Sequence, residues 1–148
     1  HRKGLPVVIL ETDSTNPLCF LIDTGSTPSL IQESSLKGNH QYLKNNLKVS
    51  AVTGDPIRIE GQLDVNLKIN ETKIGDHRFL IQKNDFPTFQ GILGTDWLTE
   101  NKVVIDYSKG GIRIKNQNLW IPFWKYENRK SLQLNAIIDD TEEEEKNG

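Results

Sequence analysis

Asp23 is the residue of this chain best placed to do chemistry. It ends the apolar run Leu18-Cys19-Phe20-Leu21-Ile22 and is followed by Thr24-Gly25-Ser26-Thr27, the pattern of a buried strand that stops at a carboxylate and turns. Burying a carboxylate there is costly unless hydrogen bonds or a functional use offset the desolvation. The same desolvation moves a carboxyl group toward the range useful for general acid/base work. Peptide hydrolysis by carboxylates takes two of them, close enough to share one proton. The ionised member deprotonates a water while the protonated member polarises the carbonyl. The chain carries one Asp-Thr-Gly, so it holds half of such a pair.

The elements that must position Asp23 are short strands. Val7-Val8-Ile9-Leu10 and the run before Asp23 flank the polar cluster Thr12-Asp13-Ser14-Thr15-Asn16-Pro17, which predicts a hairpin. Pro28-Ser29-Leu30-Ile31 reads as the next strand, followed by a helical turn or loop to Gly38 and an unassigned polar stretch over 39–46. Lys48-Val49-Ser50-Ala51-Val52, the breakers Thr53-Gly54-Asp55-Pro56 and Ile57-Arg58-Ile59 predict a glycine-tipped hairpin ending near Gly61. Leu63-Asp64-Val65-Asn66-Leu67-Lys68-Ile69 alternates strictly, so one face is buried and one wet. His77-Arg78-Phe79-Leu80-Ile81 is read as the next strand, joined through Lys73-Ile74-Gly75-Asp76. About two turns of helix are expected over 95–101. Val103-Val104-Ile105-Asp106 and Ile112-Arg113-Ile114 form a hairpin, and Leu119-Trp120-Ile121-Pro122 is an edge strand because of its proline. Many short strands with frequent turns give an all-β, closed or nearly closed architecture.

A second stretch repeats the form of the first: Gly91-Ile92-Leu93-Gly94-Thr95-Asp96-Trp97-Leu98 is an apolar strand, a glycine and a short polar entry into a helix. Together the two stretches resemble the retropepsin-type aspartic peptidases, most closely the protease domain of gypsy-like LTR retrotransposon Gag–Pol polyproteins. The resemblance implies a retropepsin-like closed β-barrel with one short helix after the Ile-Leu-Gly strand. It also implies a homodimer in which two copies of Asp23 form the catalytic pair across a two-fold axis. Thr24 matches the position whose hydroxyl reaches the opposite subunit's loop, and Gly25 the position where the backbone lies too close to the carboxylates for a Cβ. Ser26 stands where many retroviral enzymes have alanine, and its hydroxyl is expected to donate to the Asp23 carboxylate. Ile92, Leu93 and Gly94 match the strand packed under the active-site loop. Viral members carry an Arg where Thr95 stands, so its stabilising role must be supplied otherwise. Thr53, Gly54, Asp55 and Pro56 fall where the family's flap tip lies, a hairpin that closes over an extended polypeptide substrate and excludes water. No cofactor is implied.

The bland readings bound this one. Asp96 is read as a helix-start carboxylate favoured by the dipole, and Asp64, Asp85 and Asp106 as turn and surface groups. His40 and His77 lie far apart without a cysteine cluster, so no metal site is predicted. No Gly-x-Ser-x-Gly elbow or phosphate loop is present. Trp97, Trp120 and Trp124 are assigned to core or interface. Of the formal charge of −2, the residues Asp139, Asp140, Glu142, Glu143, Glu144, Glu145 and Lys146 contribute −6 + 1 = −5, leaving a near-neutral body with no electrostatic case for nucleic acid. Residues 1–124 are therefore taken as the protease-like domain and 125–148 as a polar, acidic tail or linker.

The single Cys19 precludes an intramolecular disulfide. With no apolar stretch near 18 residues, neither a membrane span nor a membrane partner is expected, and the location expected is cytoplasmic, within retroelement particles if the element makes them. The chain lacks Met and starts His-Arg-Lys, so it is expected to have been cut from a longer precursor or cloned as a fragment. The rival reading is a non-catalytic or domesticated retropepsin-like module of a larger protein, serving dimerisation or peptide binding. An intact Asp-Thr-Gly-Ser argues against it, because nothing structural needs an ionisable group there.

Overall fold

A computed structural model of the chain describes residues 4–124; the boundary and tail assigned to 125–148 lie outside the described residues. Eleven strands and one short helix follow in the order β1 (Val7–Thr12), β2 (Leu18–Ile22), β3 (Leu30–Gln32), β4 (Val49–Ser50), β5 (Pro56–Ile57), β6 (Ile59–Ile69), β7 (Thr72–Gln82), β8 (Gly91–Leu93), α1 (Thr95–Glu100), β9 (Val103–Asp106), β10 (Gly111–Ile114) and β11 (Leu119–Pro122). Six of them close a barrel in the order β1-β2-β8-β3-β7-β6. The ring is completed by Glu11 and Thr12 of β1 opposite Lys68 and Leu67 of β6. Outside it stand a three-stranded sheet, β11-β10-β9, and the two-stranded hairpin β4-β5.

The strands beside Asp23 are apolar on both faces, and their two-residue period separates two cores. Phe20, Ile22, Ile31, Phe79, Ile81 and Leu93 point into the barrel, where Trp97 and Leu98 of α1 and Ile112, Ile114 and Ile121 of the outer sheet join them. The residues between, Leu30, Leu80 and Ile92, form a second cluster on the other face with Leu21, Val49, Ile59, Phe86 and Phe89 against it. Val49 belongs to the β4-β5 hairpin, which thereby packs on this second cluster.

Two sequence expectations change. The stretch after the hairpin does not stop at Gly61: β6 runs for 11 residues through it, with a register shift between Ile59 and Gly61. Nor is Lys73-Ile74-Gly75-Asp76 a connector, since β7 starts at Thr72 and pairs along β6 for 11 residues. The turn falls instead at Asn70, whose φ of 53° places it in the left-handed region that Asn tolerates. The other elements fall within a few residues of where the sequence puts them, with β3 shifted to Leu30–Gln32 from the expected Pro28–Ile31, β4 shortened to Val49–Ser50, and the proline-bearing β11 at a sheet edge.

Candidate active site

β2 and β8 lie parallel, with Phe20 opposite Gly91 and Ile22 opposite Leu93, so the two similar stretches run side by side and leave the barrel together. The Asp23 N–H donates to the Leu93 carbonyl at 3.0 Å, the last rung of that pairing. Beyond it the chain turns: the Ser26 N–H reaches back to the Asp23 carbonyl at 3.2 Å, and the Gly25 N–H donates to Asp23 Oδ1 at 2.9 Å. A Cβ on Gly25 would lie 3.3 Å from that same oxygen, tighter than an ordinary contact. The Asp23 side chain is half-buried and Thr24 and Gly25 are exposed, so the carboxylate sits at the mouth of the fold rather than inside it. The desolvation expected from the sequence is incomplete in a single chain.

The Ser26 hydroxyl does not donate to Asp23. It donates to the Pro28 carbonyl at 2.8 Å, because the turn folds the backbone of 26–28 toward α1 and the nearest free acceptor lies there. It shapes the loop rather than tuning the carboxylate.

The corner after β8 holds the loop from behind. Thr95 N–H donates to the Ser26 carbonyl at 2.8 Å and Asp96 N–H to the Thr27 carbonyl at 3.1 Å. Gly94 makes that approach possible: a Cβ there would stand 2.4 Å from the Pro28 oxygen and 2.6 Å from the Ser26 oxygen. The first-turn N–H groups of α1, which have no partner within a helix, are thus used on the loop. Ile92 and Leu93 hold this corner in place, one side chain in each core.

Asp96 and His77 are where sequence reasoning falls short. Asp96 takes the Trp97 N–H at 2.6 Å, as a first-turn carboxylate can, but it also accepts from the Ser29 hydroxyl at 2.6 Å and from the Ser29 N–H at 3.2 Å. His77 is no strand-edge residue. Its side chain is 8% exposed, with Nε2 3.0 Å from Asp96 and Nδ1 3.1 Å from Glu100. Burial works against its charge, yet hydrogen bonding to Asp96 and the charges of Asp96 and Glu100 outweigh burial and raise its pKa. For Asp96 burial again opposes ionisation, and the hydrogen bonds from His77 and Ser29 outweigh it, lowering the pKa. The signal that could have found His77 is parity: it shares a strand face with Phe79 and Ile81, which point into the barrel.

These opposite shifts set a pH window. Asp96 contributes stability above its ordinary 3.8, lost as pH falls through its lowered pKa. His77 contributes below its ordinary 6.5, lost as pH rises through its raised pKa. Because Asp96 is about one-third exposed, the contribution is discounted to roughly 2 kcal/mol. His77→Gln is expected to lose most stability between those two values and to approach the parent at alkaline pH, as read from urea midpoints across pH. A constant difference at every pH would contradict the assignment.

A two-stranded hairpin, β4-β5, stands where the flap is expected, with Val49 opposite Ile57 and Ser50 opposite Pro56. Thr53, Gly54 and Asp55 form its tip, closed by Ala51 N–H to the Asp55 carbonyl and Gly54 N–H to the Ala51 carbonyl, both 2.8 Å, and by the Thr53 hydroxyl on Asp55 at 3.0 Å. Val52 at that tip is wholly exposed, at 106%, an apolar side chain that nothing among the described residues covers. Among the described residues no group of three or more His, Cys, Asp or Glu could hold a metal ion. Nor is any helix among them long and apolar enough to cross a membrane.

Comparison with known proteins gives four matches. A family model described as retroviral aspartyl protease matches residues 7–119. The retrovirus-related Pol polyprotein from transposon 412 of Drosophila melanogaster is 26% identical over 109 residues, covering 72% of this chain; the chain spans only 9% of that protein's length. In fold, the retroviral protease-like domain of Ddi1 from Leishmania major superposes with a TM-score of 0.65 at 16% identity, over 83% of this chain and 96% of that one. EIAV protease in complex with the inhibitor HBY-793 gives a TM-score of 0.52 at 23% identity, over 66% and 88%.

Proposed function

The chain belongs to the retroviral aspartyl protease family, an aspartic endopeptidase fold, and from that premise we propose that it acts as a homodimer that processes a retroelement Gag–Pol polyprotein. One observation carries the dimer. The Asp23 carboxylate is half-buried at the mouth of the fold, while Asp96, the acidic residue folded against its loop, is committed to Ser29, Trp97 and His77. Among the described residues, Asp23 is therefore the carboxylate of this loop not tied to another element, and a second copy supplies the other.

In the dimer, Asp23 of each chain shares a single proton, because two carboxylates in contact cannot both ionise. The ionised member takes a proton from a water, which attacks the peptide carbonyl; the protonated member hydrogen-bonds the carbonyl oxygen as negative charge develops there. Thr24, exposed on the loop, reaches toward the partner's loop. Substrate lies extended between Asp23 and the β4-β5 hairpin, bound by its backbone, with alternate side chains on the apolar floor around Leu30, Leu80 and Ile92. Thr53, Gly54, Asp55 and Pro56 close over it, and Val52 gains the apolar partner it lacks. Similarity to the transposon 412 polyprotein supports a polyprotein as substrate.

A second reading follows from the fold likeness to the Ddi1 domain, which covers 96% of that chain: a protease-like module retained within a larger cellular protein. Kinetics separate a dimeric enzyme from a monomeric peptide-binding module. Cleavage of a randomised peptide library is expected to rise with the square of protein concentration at low concentration and linearly once the dimer saturates. A rate proportional to concentration throughout would reject the shared site, and no cleavage at any concentration would favour the binding module.

A further inference from the structure

The loop that carries Asp23 is braced by groups that no step of hydrolysis uses. Asp96 stands in the middle of the brace with four donors. Its Oδ1 accepts from the Ser29 hydroxyl and the Trp97 N–H, both at 2.6 Å; its Oδ2 accepts from the Ser29 N–H at 3.2 Å and from His77 Nε2 at 3.0 Å. A carboxylate has about four lone-pair directions, so this one is saturated and cannot turn without losing a bond. Ser29 is fully buried, and its oxygen accepts in turn from the Gly94 N–H at 2.9 Å. Of the four donors on Asp96, two belong to the loop strand and one to the helix itself. Only His77 comes from β7, which pairs with β3 in the barrel.

His77 has a second tie. With Nε2 toward Asp96 and Nδ1 toward Glu100 at 3.1 Å, both ring nitrogens face carboxylates, and imidazole donates from both only when it carries both protons. The charged groups around it are Asp96 and Glu100 of α1, and Asp64 of β6, which interacts with it electrostatically and is itself held bidentately by Arg78 at 2.8 and 3.0 Å. The ring of Phe79 meets it edge-on and brings no charge.

We propose that doubly protonated His77 is a positioning residue for Asp23, fixing the active-site loop through Asp96 and Ser29. When the ring loses one proton, Glu100, whose side chain is 62% exposed, turns to water, and Asp96 is left facing a neutral donor. The Asp96–Ser29–Gly94 brace slackens and the Asp23 loop shifts with it. The brace thus depends on a charge that pH can remove.

The catalytic half of this inference rests on the proposed function; the mechanical half does not, and the test separates them. In the Asp23→Asn chain, whose loop has no titrating carboxyl, the Gly25, Ser26 and Thr27 amide resonances are followed with pH alongside the His77 ring protons. The loop amides are expected to shift with the His77 midpoint, to stop doing so in His77→Gln, and to stop also in Ser29→Ala while His77 still titrates. In the parent sequence, His77→Gln is expected to lower kcat about tenfold with KM changed less than about twofold, and to remove the alkaline limb of the pH–kcat profile. Loop amides indifferent to the His77 titration, or a folded His77→Gln chain with parental kcat, would overturn the proposal. If the parent chain cleaves nothing, the proposed function fails and the amide titration alone decides the positioning role.

Discussion

Asp23→Asn is expected to lower kcat on a peptide substrate by at least about a thousandfold while leaving the fold and the proposed dimer intact. Acid and base catalysis by one positioned group is worth roughly 10²–10⁴ in rate. In a dimer this one substitution removes both groups, because the same residue supplies the acid in one chain and the base in the other. An amide neither takes the proton of water nor shares a proton with a partner. Folding is spared because Asn keeps an oxygen for the Gly25 N–H, now at 2.9 Å, and because the side chain is only half-buried. The measurement is kcat with the circular dichroism melting curve beside it; an unchanged kcat would remove Asp23 from the chemistry. Mixing the variant with parent chains should depress the parental rate, since a mixed pair has one carboxylate.

Gly94→Ala is expected to act on stability rather than on chemistry. The methyl group would meet the backbone oxygens of Pro28 at 2.4 Å and Ser26 at 2.6 Å, and backbone atoms cannot swing aside as a side-chain tip can. Relief requires moving α1 off the loop. That breaks the Thr95-to-Ser26, Asp96-to-Thr27 and Gly94-to-Ser29 hydrogen bonds, now at 2.8, 3.1 and 2.9 Å. Overpacking alone costs about 1–3 kcal/mol, and with those bonds the loss should exceed about 3 kcal/mol, a large share of a domain's stability. Gly4, which has nothing within 4 Å of a built Cβ, supplies the control: Gly4→Ala should stay within about 0.5 kcal/mol. Equal urea midpoints for the two variants would show that the corner gives way cheaply.

The parts of this fold legible in the sequence are those written locally. An apolar run that stops at Asp-Thr-Gly announces a strand end and a turn without knowing what pairs with it. The Gly91–Leu93 strand shows the same local form, and its glycine at position 94 marks the close approach. Long-range pairing is not written that way. Gly61 and Gly75 each interrupt a local pattern and read as ends or connectors, yet β6 and β7 stabilise each other across both. The brace of Ser29, His77 and Asp96 joins residues 48 and 19 positions apart in the chain, and only the strand parity of His77 hints at it. Ser26 illustrates a third kind of miss, in which the right residue was assigned the wrong acceptor because the backbone path beyond a turn sets which oxygen is near.

The hydrogen bond from the Trp124 N–H to the Val7 carbonyl, at 2.6 Å, joins the last described residue to the first strand. The two ends of the described barrel are therefore neighbours. A fold arranged this way can be inserted into a longer polypeptide without separating the segments on either side, which leave from one spot on the surface. It also tolerates circular permutation in principle: a short linker across the Val7–Trp124 junction, with new ends opened at the exposed Ser108-Lys109 turn between β9 and β10, keeps every barrel strand and the Asp23 loop in place.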